Sequence, residues 1–358
     1  MTTVTKSNQT WVIRDGDEKD LEGIASLRET VFGEMEKDKL DPNFWRWEFL
    51  EGPDGKALIY IVEDGGRVVG HFADIPRRFS VDGKIVLGTI SVDLMVHPDH
   101  RRKGLFSKMG RFAAQRVKKE KGLFMAAFPI RKETIVGLQK LGWQVVAELP
   151  VLVYPIRFGS IVKRYLHFSA LSQLIGGFAR VAYLLFRGGG EKEVEGIAVN
   201  EVTDLDDRFD QFLDKGSSLY PVMGVRNRAF LEWRYLQHPS RTYAIYRAMK
   251  EKEMGGYIVL RKVDLLDFNS AVIVDLLAMG EDFLKALVKK GIEYSRDQGA
   301  DLLGCMLPKG HAYHKMLRAL GFLSSPKRFL LMVYRHSEEE ISLAPEKWYV
   351  NWGDTDVI

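Results

Sequence analysis

The decapeptide HPDHRRKGLF, His97 to Phe106, places three consecutive cations, Arg101, Arg102 and Lys103, directly before Gly104. The preceding run SVDLMV has strand character, and Pro98 ends it. Leu105, Phe106, Met109, Phe112, Ala113 and Val117 then follow helical spacing, so Gly104 opens a helix. A helix N-terminus gathers unpaired N–H groups and a partial positive charge. Glycine there lets a ligand approach the backbone closely, and the flanking cations add charge. The chemistry this corner supports is anion binding, a pyrophosphate in particular. A solvated basic turn is the alternative, and the motif alone does not separate the two.

The elements that must hold this corner can be read on both sides of it. WVIRDGDEKDLEGIASLRETVFG gives a strand, an acidic turn and a helix with Leu21, Ile24, Ala25, Leu27 and Val31 on one face. Strands follow at 58–62 and 68–75 around an Asp64-Gly65-Gly66 hairpin. A second hairpin at Val81-Asp82-Gly83-Lys84 leads to a strand at 89–96. Helix 104–119, strand 123–128 and helix 132–141 complete the order. Strands followed by α, β, α, β imply a mixed sheet with helices on both faces. Alternation along the strand predicts Ser91, Asp93 and Met95 on one face, with Val92, Leu94 and Val96 on the other.

The chain repeats this pattern. Phe44 begins FWRWEFLEGPDGKALIYIVEDGGRVVGHFADI and Phe230 begins FLEWRYLQHPSRTYAIYRAMKEKEMGGYIVL, each an aromatic-Arg helix, a Pro turn and two strands. VDLM at Val92 answers VDLL at Val274, GLFMAAFP answers ADLLGCMLP, and LQKLGW answers LRALGF. Four landmarks in one order identify two copies of an α/β unit. The expected division is 1–158, a helical linker 159–195 and 196–358. In the linker Phe168, Leu171, Leu174, Ile175, Phe178 and Val181 keep helical spacing, but Gln173, Gly176, Gly177 and Arg180 interrupt it. A membrane span needs about 20 clean apolar residues, so a packed helix is expected instead.

At 358 residues, 46% hydrophobic and 28% charged, the composition is that of an ordinary globular protein of two domains. A net charge of +4 is too small to argue for a nucleic-acid partner, so anion binding must be local. The single cysteine, Cys305, excludes an internal disulfide and a cysteine-rich metal site; a reducing cytoplasm is expected, and the N-terminal MTTVTKSNQT shows no apolar leader.

The run VDLMVHPDHRRKGLFSKM, with LQKLGW downstream, resembles the cofactor-binding motif of the GNAT acyltransferase superfamily, Arg/Gln-x-x-Gly-x-Gly/Ala. The WRW, HPDHRRKGLF and WRY ensemble looks like bacterial tandem members of that superfamily. The resemblance implies a mixed-sheet α/β fold in two tandem domains. It also implies a loop, Arg101 to Phe106 with Ser107 after it, wrapping the pyrophosphate of acetyl-CoA or another acyl-CoA. Leu94, Met95 and Val96 would lie on a splayed strand whose amides pair with the pantetheine arm. Phe106 replaces the family's small residue, which puts crowding at the loop in question. The second copy has Gly280-Glu281-Asp282-Phe283 there, and its carboxylates would repel a pyrophosphate.

Acyl transfer by direct attack needs a base, an oxyanion donor and an acid for the thiolate. Family members often carry a carboxylate near Asp93, which makes it the candidate catalytic base. Asp275 at the matching place of the second copy favours a structural aspartate. Where many members have a tyrosine acid, this chain has Leu138. His71 and His97 lie within reach and read as structural. Cys305 lies in the second copy, which argues against a cysteinyl intermediate.

The C-terminal KWYVNWGDTDVI carries Trp348, Tyr349 and Trp352, costly to expose, ahead of Asp354 and Asp356, so the tail is expected to dock. The resemblance implies a rival to Asp93, since in some tandem members a C-terminal carboxylate serves as the base; a tail that merely closes the second sheet is the alternative. The expected function is that of a cytoplasmic N-acetyltransferase (acyltransferase) acting on an amine or hydroxyl of a small molecule, sugar or peptide. A non-catalytic acyl-CoA-binding regulator and an aminoacyl-tRNA-dependent transferase are the alternatives.

Overall fold

A computed structural model of the chain describes residues 10–33, 37–157, 159, 195–216, 219–337 and 341–355. The expected linker helix at 161–186 falls outside the described residues. The rest forms two compact units, Met1–Arg78 with Val86–Gln144 and Met332–Ile341, and Phe79–Ile85 with Val145–Leu331 and Ser342–Ile358.

The first sequence half runs β1 (Trp11–Asp15), α1 (Leu21–Phe32), α2 (Pro42–Leu50), β2 (Leu58–Asp64), β3 (Arg67–Val81), β4 (Lys84–Val96), α3 (Leu105–Lys119), β5 (Phe124–Ala127), α4 (Lys132–Lys140) and β6 (Gln144–Pro155). The second half repeats it with one inserted strand. Its elements are β7 (Ile197–Val202), α5 (Asp207–Gly216), the inserted β8 (Val222–Gly224), α6 (Arg228–Leu231), β9 (Ala244–Lys250) and β10 (Glu253–Leu265). Next come β11 (Phe268–Ala278), α7 (Glu281–Asp297), β12 (Leu302–Met306), α8 (Ala312–Ala319), β13 (Leu323–Arg335) and, in the tail, β14 (Trp348–Tyr349). The repeat read from the sequence is therefore a repeat of structure.

Each unit holds one mixed sheet. In the first the order is β1-β2-β3-β4-β5, followed by Met332–Arg335 of β13. In the second it is β7-β9-β10-β11-β12, followed by β6. The last strand of each sheet thus comes from the other half of the chain, so the units are not consecutive in sequence. The parallel pairs, β4 with β5 and β11 with β12, are those bridged by α3 and α7, since parallel neighbours need a crossover.

Local chemistry explains the helix ends. Asp17 and Asp20 form a reciprocal cap on the turn before α1, which stops at Gly33 with φ 60°. Asp41 accepts from the Asn43 amide at 2.8 Å and Pro42 takes the first position of α2. On α3, Leu105, Met109, Ala113 and Val117 bury one stripe against Tyr60, Val62 and Phe72 of the first unit's sheet.

In the second unit the tail is part of the core. β14 pairs in parallel with β8 through Trp348↔Val222 and Tyr349↔Met223. Trp348 is 1% and Trp352 0% exposed. Arg234 donates to the Thr355 carbonyl at 2.6 Å, and Arg226 to Asp354 at 2.5 Å. A tail that satisfies two buried guanidiniums belongs to the fold. Trp352→Ala is expected to lower the unfolding free energy by about 3–5 kcal/mol. Removing residues 353–358 should destabilise as well, because Arg226 and Arg234 lose partners; denaturant titration of the full chain checks both.

Candidate active site

In the first unit the opening decapeptide becomes a turn with its cations outside. Pro98–His100 make a single 3-10 turn, capped by the Asp99 amide donating to His97 Nδ1 at 3.3 Å. Arg102 and Gly104 both take left-handed backbone, φ 63° and 77°. Arg101, Arg102, Lys103 and Gly104 are exposed, and Gly104 begins α3 with no side chain capping the helix. A Cβ on Gly104 would meet nothing within 4 Å, so the space before the helix is open. Leu105, Phe106 and Ser107 carry the first amides of α3, and in an α-helix those groups have no intrahelical acceptor.

The crowding anticipated at Phe106 does not arise. Its ring lies over Gly137 of α4, where an added Cβ would sit 2.7 Å from the ring. A glycine on the facing helix takes up the volume that a small residue in the loop would have saved. Nothing in the loop sequence points to Gly137; only the packing of α3 on α4 does.

The strand leading into the loop is splayed. The parallel register between β4 and β5 runs only through Thr89↔Met125 and Ile90↔Ala126. Among the described residues the β5-facing edge from Ser91 to Val96 has no strand partner. That edge, carrying Leu94, Met95 and Val96, ends where the basic turn begins.

Asp93 sits in the middle of this edge with φ 55°, a conformation L-residues avoid within strands. Its carboxylate is 5% exposed; it accepts from Arg28 of α1 and lies 3.4 Å from Lys39, which also lies 3.6 Å from Glu48 of α2. Its carbonyl lies 3.1 Å from His71 Nδ1 of β3. Burial pushes the Asp93 carboxyl up, but the Lys39 and Arg28 charges outweigh it and hold it below the usual carboxylate range. Burial brings His71 down to about 4, so the imidazole is neutral and donates Nδ1–H to Asp93.

The left-handed residue also breaks the expected alternation. Leu94 and Val96 pack against the α3 core, whereas Asp93 reaches α1. Ser91 bonds Asp74, which faces Leu58 across the β2–β3 pair, and Leu58 packs on the α3 core too. Ser91 therefore shares a face with Leu94 and Val96, not with Asp93, because one residue out of the pleat flips all that follow.

In the second unit the space at the matching glycine, Gly280, is equally open, but the charge beside it is reversed and the matching strand edge is closed. α7 begins at Gly280, φ 108°, with Glu281 and Asp282 in its first turn. The Phe283 ring occupies the space beside Gly255. Tyr313 of α8 accepts from the Ala278 amide at 3.0 Å and donates to the Ala278 carbonyl at 3.1 Å; Ala278 corresponds to Val96. Tyr349 donates to the Leu276 carbonyl and stacks on Tyr220 at 4.5 Å. Asp275, the counterpart of Asp93, is fully buried among Arg226, Tyr235 and Asn351. Cys305 is buried and its thiol is pushed up to about 12, so no thiolate forms there near neutral pH.

Residues 12–146 match the family described as acetyltransferase (GNAT) domain. No curated protein is similar enough in sequence to match. Among solved structures, a GCN5-related N-acetyltransferase from Anabaena variabilis is similar at 12% identity and TM-score 0.64, over 90% of this chain and 72% of that one. Another, from Kribbella flavida, is 16% identical with TM-score 0.61, over 92% and 72%. Saccharomyces cerevisiae N-myristoyltransferase with bound myristoyl-CoA is 11% identical with TM-score 0.62, over 96% and 88%. At these identities the likeness is one of fold.

The Arg28–Asp93 pair generates a stability prediction. Arg28→Met leaves a buried carboxylate short of its partner and should cost about 3–5 kcal/mol. A depressed carboxyl stabilises above its unfolded pKa, about 4, and that contribution is lost as pH falls through the folded value. Denaturant titrations should therefore show the gap between wild type and variant narrowing below about pH 4.

Proposed function

We propose, from the premise that residues 12–146 are a GNAT acetyltransferase domain, that this chain transfers an acyl group from acyl-CoA to an amine. The acyl donor is held by the first unit alone. The carrying observation is the contrast between two strand edges. One, without a strand partner among the described residues, ends beneath exposed cations; the backbone groups of the other are taken by Tyr313, before a helix that opens with Glu281 and Asp282. In this reading the α3 amides after Gly104, with Arg101, Arg102 and Lys103, hold the pyrophosphate of the donor. The splayed edge at Leu94, Met95 and Val96 offers amides to the pantetheine arm. Acyl-CoA supplies an activated thioester; the chain binds it, orients it and manages protons.

Asp93 serves this site as an anchor. Expected from the sequence as a base, it is held by two buried cations and would give up its charge only in strong acid. Its work is to fix the left-handed residue that opens β4 and turns Leu94 and Val96 toward the α3 side. In the second unit Asp275 keeps the anchoring part, while Tyr313 takes the backbone groups that a pantetheine arm would need. A hydroxyl acceptor in place of the amine fits the same proton bookkeeping. The myristoyl-CoA bound by the similarly folded N-myristoyltransferase makes long-chain acyl-CoA one donor class to include in screening.

Gly104→Glu tests this assignment. It forces a side chain into left-handed backbone and puts a carboxylate where the pyrophosphate would lie. Each charge-assisted hydrogen bond lost is worth roughly 1.5–3 kcal/mol, so coenzyme A affinity should fall at least about 100-fold by calorimetry. Gly280→Glu is the matching change in the second unit; at φ 108° and ψ 173° its backbone strain is greater than at Gly104, so a loss of affinity specific to the Gly104 variant cannot be put down to strain. It should leave affinity within about two-fold, since each 1.4 kcal/mol is tenfold and no donor contact is expected there. Two coenzyme A molecules per chain, or loss only with the Gly280 variant, would overturn the assignment.

A further inference from the structure

The proposed reaction still needs a group that takes the acceptor's proton and returns it to the thiolate, and Asp93 is too strongly paired to do it. On the other face of β4 from the Asp93 side chain lies a second pair, Ser91 and Asp74. Asp74 of β3 is fully buried, with its Oδ1 accepting from Ser91 and, at 3.2 Å, from Thr89. Its Oδ2 is buried, and the buried Tyr60 hydroxyl is the donor that faces the same carboxyl. A carboxylate buried among neutral hydroxyls, with no cation beside it among the described residues, binds a proton more readily than one in water.

Position gives the pair its meaning. The β4–β5 register ends at Ile90↔Ala126, so Ser91 is the first residue of the open edge, at the crotch of the splay. It begins the same unpaired edge whose amides at Leu94, Met95 and Val96 are assigned to the pantetheine arm. Ser91 and Val96 are five residue steps apart along the strand, at most about 16 Å at about 3.3 Å per step. An extended donor arm entering from the basic turn brings its thioester end toward this crotch. Ser91 itself is 8% exposed, so its hydroxyl is screened from bulk water.

We propose that Ser91 and Asp74 form the proton relay of the acyl transfer, with Ser91 the catalytic residue at the thioester and Asp74 the positioning residue that stores the proton behind it. This rests on the acyltransferase reading above. As the acceptor nitrogen forms its bond to the acyl carbon and the carbon–sulfur bond breaks, the nitrogen loses one proton to Ser91 Oγ. The hydroxyl proton of Ser91 passes to Asp74. The same proton count then returns through Ser91 to the departing thiolate, leaving amide, thiol and an ionised Asp74. No oxidant, metal or additional co-reactant enters.

The surroundings suit this duty. Tyr60 from β2, and Thr89 and Ser91 from β4, face the carboxyl; on the α3 side Arg116 is tied to Asp15. Burial lifts the Asp74 carboxyl to about 6, against the smaller opposing pull of the Ser91, Tyr60 and Thr89 hydroxyls. A store with that affinity is ionised at neutral pH yet accepts a proton readily.

The test is thiol release from acetyl-CoA with butylamine and a panel of peptide amines, alongside coenzyme A calorimetry on the full chain. Asp74→Asn keeps the shape and an acceptor for Ser91 but stores no proton. It should bind coenzyme A like wild type and lose about 10²–10⁴-fold in kcat. Wild-type kcat should rise with pH through about 6 and level off above it, and Asp74→Asn should lose that inflection. If Asp74→Asn does not fold, Ser91→Ala, which leaves Asp74 bonded to Thr89, should show the same loss and the same flattened profile. Retention of kcat within two-fold, or an unchanged pH profile, in the folded variant overturns the relay alone. Coenzyme A binding by wild type without thiol release from any amine overturns the relay and the transferase reading together.

Discussion

The first unit turns on one buried interaction, the carboxylate of Asp93 between Arg28 and Lys39. A strand residue at φ 55° is unfavourable by itself, and burying three charges is unfavourable as well. Together they are tolerated because each fixes the other. The left-handed turn aims the carboxylate at α1, and the two cations hold it there, while His71 secures the carbonyl of the same residue. The Asp93 carboxylate and carbonyl are thus held by α1, by Lys39 before α2 and by β3, not from the β5-facing edge of β4.

That edge is where the two copies differ. Both have parallel strands that pair only over a few residues before a helix N-terminus, and both anchor an aspartate beside that point. In one copy the exposed edge ends beneath cations. In the other, Tyr313 bridges both backbone groups of Ala278, and Tyr349 covers Leu276. The closed copy obeys the rule that buried backbone groups find partners within the protein. The open copy leaves the β5-facing edge of Ser91 to Val96 without a strand partner among the described residues, the gap that the proposed donor would fill.

The exchange of last strands gives this arrangement a further constraint. β6 completes the second sheet and the end of β13 completes the first, so neither sheet is finished by its own half of the chain. Parallel and antiparallel neighbours flank β5 and β12 on their two sides, and this leaves β4 and β11 as the strands able to peel away. The tail then seals the second unit through Arg226 and Arg234, and its Asp354 is consumed in an ion pair there.

Much of this was decided by sequence alone. The repeat, the element order, the glycine-opened helix and the acidic reversal at Glu281 and Asp282 all follow from local spacing and residue type, which need no knowledge of distant neighbours. The glycine hairpins and helix stripes were legible for the same reason. What the sequence left undecided depends on residues far apart in the chain. Alternation put Ser91 and Asp93 on one face; a single left-handed residue, held by Arg28 from 65 positions earlier, put them on opposite faces. Phe106 was anticipated to crowd the loop until Gly137 supplied the space. Asp74 carried no motif at all, and only strand pairing brought it to Ser91. The last strands changed sheets because pairing is settled by which edges meet in the folded chain, and hydrophobic alternation records only which face of a strand is buried.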